Sequence, residues 1–158
     1  MELRIKQRIF SWSDTYDVYD EFGEPCYYVR AEILAFGHQI HVYDKRTGRE
    51  VGSIHQRLLT FLPQFDIVID GRVVGTIRRE LSFLRPRYSV DFCGWNVEGD
   101  FFGFDYTASR NGLQILTVSK ELFTWGDTYV LRYHSMEDEI PGLLLTIAID
   151  AANCDNKD

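Results

Sequence analysis

Four windows of fourteen residues align along this chain without gaps. They are IKQRIFSWSDTYDV from Ile5, IHQRLLTFLPQFDI from Ile54, IRRELSFLRPRYSV from Ile77 and VSKELFTWGDTYVL from Val118. Internal repetition constrains a fold strongly, because each copy is one supersecondary unit built the same way. The first place is β-branched aliphatic (Ile5, Ile54, Ile77, Val118) and the fifth is Ile or Leu (Ile9, Leu58, Leu81, Leu122). The twelfth is aromatic (Tyr16, Phe65, Tyr88, Tyr129) and the fourteenth aliphatic (Val18, Ile67, Val90, Leu131). Each copy therefore reads as a strand, a corner and a second strand.

The tenth place separates structure from chemistry. It holds Asp14, Pro63, Pro86 and Asp127. Asp hydrogen-bonds its own downstream backbone, and Pro presets φ, so both suit a turn for different reasons. A catalytic acid does not exchange with Pro, so FSWSDTY and FTWGDTY, which share Trp12 with Trp125 and Asp14 with Asp127, are expected to be corners.

Turn signals fill the intervals. Asp70-Gly71 and Asn111-Gly112 each lie between β-rich runs, a strong hairpin signal. DEFGEP (Asp20 to Pro25) and DKRTGRE (Asp44 to Glu50) read as longer turns. Strands recurring roughly every 8–12 residues point to an antiparallel sandwich or barrel. The end of the chain departs from this pattern. After Glu137-Asp138-Glu139 comes PGLLLTIAIDAANC, in which only Thr146 and Asp150 are polar between Leu143 and Ala152. Pro in a first turn and acids just before it favour a helix near 141–153. Such a helix is apolar nearly all round and has to be buried on every side. A buried strand LLLTIAI is the alternative. The expected organisation is one domain over residues 1–153, with 154–158 a polar tail.

A meander of about twelve strands followed by one hydrophobic helix resembles the LURP-one-related family of the tubby C-terminal-like superfamily, which also includes the phospholipid scramblases. IKQRIFSWSDTYDVYDEFGEPCYYV resembles its opening, IHVYDKRTGREVGSIHQRLLTFLPQFDIVIDGRVVGTIRRE its middle, and VSKELFTWGDTYVLRY with LLLTIAIDA its end. The resemblance implies a mainly β fold, a closed antiparallel barrel of about twelve strands around a buried hydrophobic C-terminal helix. It implies no shared activity. Tubby domains bind phosphoinositides through basic side chains, but none of those residues is carried over to a position of this sequence, and the scramblases' acidic calcium segment has no clear counterpart.

Composition excludes several function classes. The net charge of −7 argues against non-specific attraction to nucleic acid, and no RNP-like string is present. Cys26, Cys93 and Cys154 are odd in number and lack a CxxC, so a disulfide framework or zinc site is not expected and a reducing compartment is. Cys93 and Cys154 lie among apolar residues and read as small core residues. No secretory signal is visible, and no apolar run reaches the roughly 20 residues of a membrane span. A cytoplasmic protein is expected, with peripheral membrane contact left open. His38 and His41, three apart in FGHQIHVY, fall on opposite faces of a strand, poor geometry for a shared metal. No phosphate loop, nucleophile elbow or HExxH occurs, so neither catalytic residues nor a cofactor are assigned.

Charge distribution is more informative. From Gly71 to Val90, five arginines face one acid, a net +4 in a chain whose remainder carries −11. Arg78, Arg79, Arg85 and Arg87 are the candidate residues for an anion or lipid headgroup. Arg78 and Arg79 should point to opposite faces of a strand, and Arg85 and Arg87 the same way. The alternative is a solvated arginine surface. The repeat's third place, Gln7, Gln56, Arg79 and Lys120, puts long polar chains on a nominally inner face, where they either line a barrel mouth or reach solvent at its rim. The function expected is a non-catalytic binding or scaffold domain for an anionic phospholipid or small anion. A protein-interaction module using exposed aromatics such as Tyr27-Tyr28 and Phe101-Phe102 is the other reading.

Overall fold

The computed structural model describes residues 1–6, 15–34, 37–83, 87–123 and 126–154. Twelve strands run in chain order: β1 (Glu2–Lys6), β2 (Thr15–Asp20), β3 (Pro25–Leu34), β4 (Gly37–Asp44), β5 (Glu50–Gln56) and β6 (Gln64–Ile69). The second half is β7 (Arg72–Glu80), β8 (Arg87–Phe92), β9 (Asn96–Asp100), β10 (Asp105–Arg110), β11 (Leu113–Phe123) and β12 (Gly126–Tyr133). A 3-10 turn, Met136–Asp138, leads into helix α1 (Glu139–Cys154). The helix alternative for this segment therefore holds, with Pro141 inside the first turn, where its missing N–H costs nothing.

All strands join one antiparallel sheet in the order β8-β7-β6-β5-β4-β3-β2-β1-β12-β11-β10-β9. Pairing of β1 with β12, from Glu2↔Arg132 to Lys6↔Thr128, rolls the meander into a barrel. The expected barrel is thus present with one seam. Strands β8 and β9 are consecutive in sequence, yet they form the sheet's two edges.

The hairpin signals fold as read. Asp70-Gly71 and Asn111-Gly112 each take positive φ at both residues, the conformation that turns a two-residue hairpin with the strands' own twist. Cys93 (φ 51°) and Gly94 (φ 67°) adopt the same turn between β8 and β9, closed by a 2.8 Å bond from Trp95 N–H to Phe92 C=O. Cys93 is therefore exposed in a turn rather than a small core residue.

Helix α1 fills the barrel. Leu143, Leu144, Leu145, Ile147, Ala148, Ile149, Ala151 and Ala152 are all buried against inward residues such as Ile40, Ile54, Ile67, Ile77 and Leu131. Each large side chain buried this way contributes about 1.5–3 kcal/mol. Thr146 meets its hydrogen-bonding needs inside, accepting from Tyr106 Oη at 3.1 Å and donating to Gly142 C=O at 2.9 Å. At Gly52 of β5 the helix packs directly on the strand, for an added Cβ would lie 2.4 Å from Leu144 Cδ1.

The helix start is pinned by charge and hydrogen bonds. Glu139 accepts from the phenols of Tyr27 and Tyr133. Burial first, and the Glu139 carboxylate second, push both phenols well above their ordinary range. The same two causes push the nearby Cys26 thiol up to about 11. Arg110 bonds buried Asp138 at 2.9 Å and Glu137 at 2.8 Å.

Candidate functional site

Antiparallel connections alternate between the barrel's ends. Tight polar turns (β2–β3, β4–β5, β6–β7, β8–β9, β10–β11) occupy the end where α1 enters. The other end, where α1 stops, is marked by bonds from Tyr88 Oη to Ala152 C=O (3.2 Å) and Asn153 Nδ2 to Phe101 C=O (3.0 Å). The described strands of all four repeated windows run to or from this exit end. First and fourteenth places are cross-strand partners in Ile54↔Ile67, Ile77↔Val90 and Val118↔Leu131. Third and twelfth are partners in Gln56↔Phe65, Arg79↔Tyr88 and Lys120↔Tyr129.

That register decides the third place. The twelfth-place aromatics Phe65, Tyr88 and Tyr129 are buried, while Gln56 and Arg79 are half-buried and Lys120 is exposed. The polar chains therefore stand at the rim, above an aromatic layer. In the Asp copy the ladder continues through Leu122↔Asp127 to Phe123↔Gly126. In the Pro copies it stops at Gln56↔Phe65 and Glu80↔Arg87, before Pro63 and Pro86. A locked φ and a missing N–H fit poorly in a paired strand. Asp127 is thus the second residue of a strand rather than a corner. Asp14, Trp12 and Trp125 lie outside the described residues.

The fifth place is the signal that sequence reasoning missed. Leu58, Leu81 and Leu122 repeat like core residues but lie past the rim, 48%, 76% and 82% exposed. Leu59 and Phe61 on the β5–β6 loop, and Phe83 on the β7–β8 loop, are also exposed. The β5–β6 loop rests on the end of β7, two residues before Leu81, through a 3.0 Å bond from Arg79 N–H to Pro63 C=O.

Of the candidate arginines, Arg78 and Arg87 lie on the outer face with Glu80, which is the cross-strand partner of Arg87. Arg79, paired with Tyr88, lies on the inner face, as the alternation required. Arg85 lies outside the described residues. Arg78 donates to Gln64 Oε1 at 3.2 Å. Among the described residues none of Arg78, Arg79 and Arg87 has a carboxylate within salt-bridge distance. Arg57 and Arg132, by contrast, are held by Asp66 and Glu121.

At the seam, β8 and β9 part toward the exit end around a cleft of about 740 Å³. Arg87, Tyr88 and Glu80 line one wall, and Gly99, Asp100, Phe101 and Phe102 the other. Asp100 is engaged with its own loop, accepting from the N–H groups of Phe102 (3.1 Å) and Gly103 (3.0 Å).

Elsewhere the polar groups serve the fold. His41 pairs with Glu50 at 3.1 Å and its ring lies 6.0 Å from that of His55. Burial, and then the His41 charge, lower the His55 pKa. Among the described residues no three His, Cys, Asp or Glu side chains gather to hold a metal, and no helix is long and apolar enough to cross a membrane.

Comparison with known proteins agrees with the fold. A family model described as LURP-one-related matches residues 1–150. The chain is 26% identical over 158 residues to YxjI, an uncharacterized protein of Bacillus subtilis (strain 168), covering 100% of this chain and 97% of that protein. An Arabidopsis thaliana protein solved by X-ray crystallography is similar at a TM-score of 0.62 and 12% identity, over 95% of this chain and 90% of that one. At that identity the likeness is one of fold. With a family match spanning nearly the whole sequence, this chain belongs to the LURP-one-related family.

Proposed function

We propose that the protein is a non-catalytic binding domain whose exit end recognises an anionic group, best fitted by the headgroup of a phospholipid at a membrane surface. The observation that carries this reading is the placing of Arg78 and Arg87 on one face, without carboxylate partners among the described residues, beside an open cleft. A chain of net charge −7 that keeps such a patch can still concentrate anions there. Anionic headgroups attract basic residues by about 1 kcal/mol each near the surface, an attraction that salt screens.

Co-sedimentation with vesicles tests it. The protein is expected to bind phosphatidylcholine vesicles containing a phosphoinositide at low salt, to release them as salt rises, and to ignore phosphatidylcholine alone. Free inositol phosphate that competes fully identifies the headgroup as the determinant; weak competition assigns part of the affinity to the bilayer. Absence of binding to the anionic vesicles at low salt overturns the reading, and an Arg78→Glu, Arg87→Glu variant that binds like the parent removes these arginines from it.

One observation favours a second reading. The facing edges of β8 and β9 leave backbone groups for an extended peptide to pair with, as edge strands commonly do. Peptide-display selection that enriches extended sequences protecting β8 and β9 amides from exchange, with no vesicle binding, would replace the lipid reading by this one.

A further inference from the structure

We propose that residues 58–61 of the β5–β6 loop and residues 81–83, just past β7, form a wedge at the exit end that enters the acyl region of a bilayer while the arginines behind it hold the headgroups. This rests on the membrane reading above and adds a mode of attachment to it.

The wedge consists of Leu58, Leu59, Phe61, Leu81 and Phe83. Leu59 and Phe83 expose as much surface as in an open chain (105% and 107%), and Phe61 is 90% exposed. Single exposed apolar residues are ordinary, but several at one end of the barrel make a patch that calls for a partner. Leu59 also takes a left-handed backbone, φ 61°. That conformation is unfavourable for a non-glycine residue, and here it carries a fully exposed leucine.

Two features select a bilayer as the occupant. The first is the layering of charge behind the tips. Arg78 and Arg79 precede Leu81 by three and two residues, and Arg87 opens β8 after the β7–β8 loop. With the tips among acyl chains, these cations fall at the depth of the phosphates. Aromatic and leucine side chains ahead of Arg and Lys are the pattern by which segments seat at a membrane interface. The second is shape. The tips project from the barrel end rather than lining a groove, so a deformable surface suits them better than a preformed pocket. At the entry end, Phe22, Val73, Leu113 and Met136 are exposed too, but each stands on a different connection or strand start, and Phe22 and Met136 lie beside acids, Glu21 and Glu137, which an anionic surface repels.

The test uses the full chain and vesicles of phosphatidylcholine with a minority of phosphatidylserine. Leu59→Ser, Phe61→Ser and Phe83→Ser together leave net charge unchanged and replace exposed side chains only, so folding should survive, as a thermal melt would verify. Partitioning is expected to fall on the order of a thousandfold, because each of the three apolar side chains withdrawn from the bilayer loses about tenfold. The salt dependence of the remaining binding should persist. Photo-crosslinking from benzoylphenylalanine at position 61 should label acyl chains, while the same group at position 73, exposed at the entry end, should not.

A triple variant that partitions like the parent overturns the wedge, and if Arg78→Glu, Arg87→Glu still abolishes binding, the headgroup reading alone survives. Equal binding to neutral and anionic vesicles that is lost in the triple variant keeps the wedge and overturns the headgroup reading. A parent that binds neither kind of vesicle overturns both.

Discussion

Tyr88 donates its phenolic hydrogen to the carbonyl oxygen of Ala152 across 3.2 Å, joining an open edge of the sheet to the last turn of the helix it surrounds. Both residues are buried, so the bond bridges the seam's inner wall and the barrel's filling. Removing it with Tyr88→Phe should lower unfolding free energy by about 1 kcal/mol. Denaturant titration measures the loss. Hydrogen exchange should quicken in β8 before it does in β4, since β8 has a paired neighbour on one side only.

Gly52 and Leu144 test how tightly the helix is seated. Gly52→Ala drives a Cβ to within 2.4 Å of Leu144 Cδ1 and 3.0 Å of Val68 C=O, an overpacking that should cost about 1–3 kcal/mol. Leu144→Ala leaves a cavity and should cost about 2–5 kcal/mol. Combined, the two should cost less than their sum, because the smaller side chain makes room for the new methyl. Strict additivity in a double-mutant cycle would show that the clash is relieved elsewhere.

Alkaline pH should loosen the helix start. Tyr27 and Tyr133 have folded pKa values raised above the ordinary tyrosine value of about 10, chiefly by burial and then by Glu139. The folded state therefore favours the neutral phenols. Their contribution is complete below about pH 10 and is lost as pH rises beyond it, when the unfolded chain ionises more readily. Stability measured from pH 8 upward should stay level and then fall. A Tyr27→Phe, Tyr133→Phe variant should be weaker at neutral pH but fall less steeply.

Much of this architecture is legible in the residues themselves. Asp70-Gly71 and Asn111-Gly112 demand positive φ and announce their hairpins, and the window positions pair across strands as their apolar spacing implies. A helix apolar on all faces is interpretable only inside a closed sheet, so Leu143 to Ala152 specify barrel and filling together. The site is harder to read. Leu58, Leu81 and Leu122 keep the inner-face rhythm, and a periodic leucine reads as core until the point where the barrel wall ends is known. Asp127 reads as a corner because two sister copies hold Pro, whereas its own hairpin zips two to three pairs further than theirs. The seam has no sequence signal at all: Cys93-Gly94 makes a hairpin turn, and the divergence of β8 from β9 comes from closure of the far side of the sheet.

The pairing of β1 with β12 has a consequence for the order of events during synthesis. Residues 2–6 find their longer ladder only with residues 128–132, and the helix that occupies the interior is made later still. Long-range pairings of this kind slow folding, because chain entropy is lost before the contacts that offset it form. A nascent chain leaving the ribosome amino-terminus first would carry a growing curved sheet with a bare apolar face until residues 139–154 emerge. That helix acts as a plug, and a chain stalled just short of it would be the species most in need of a chaperone.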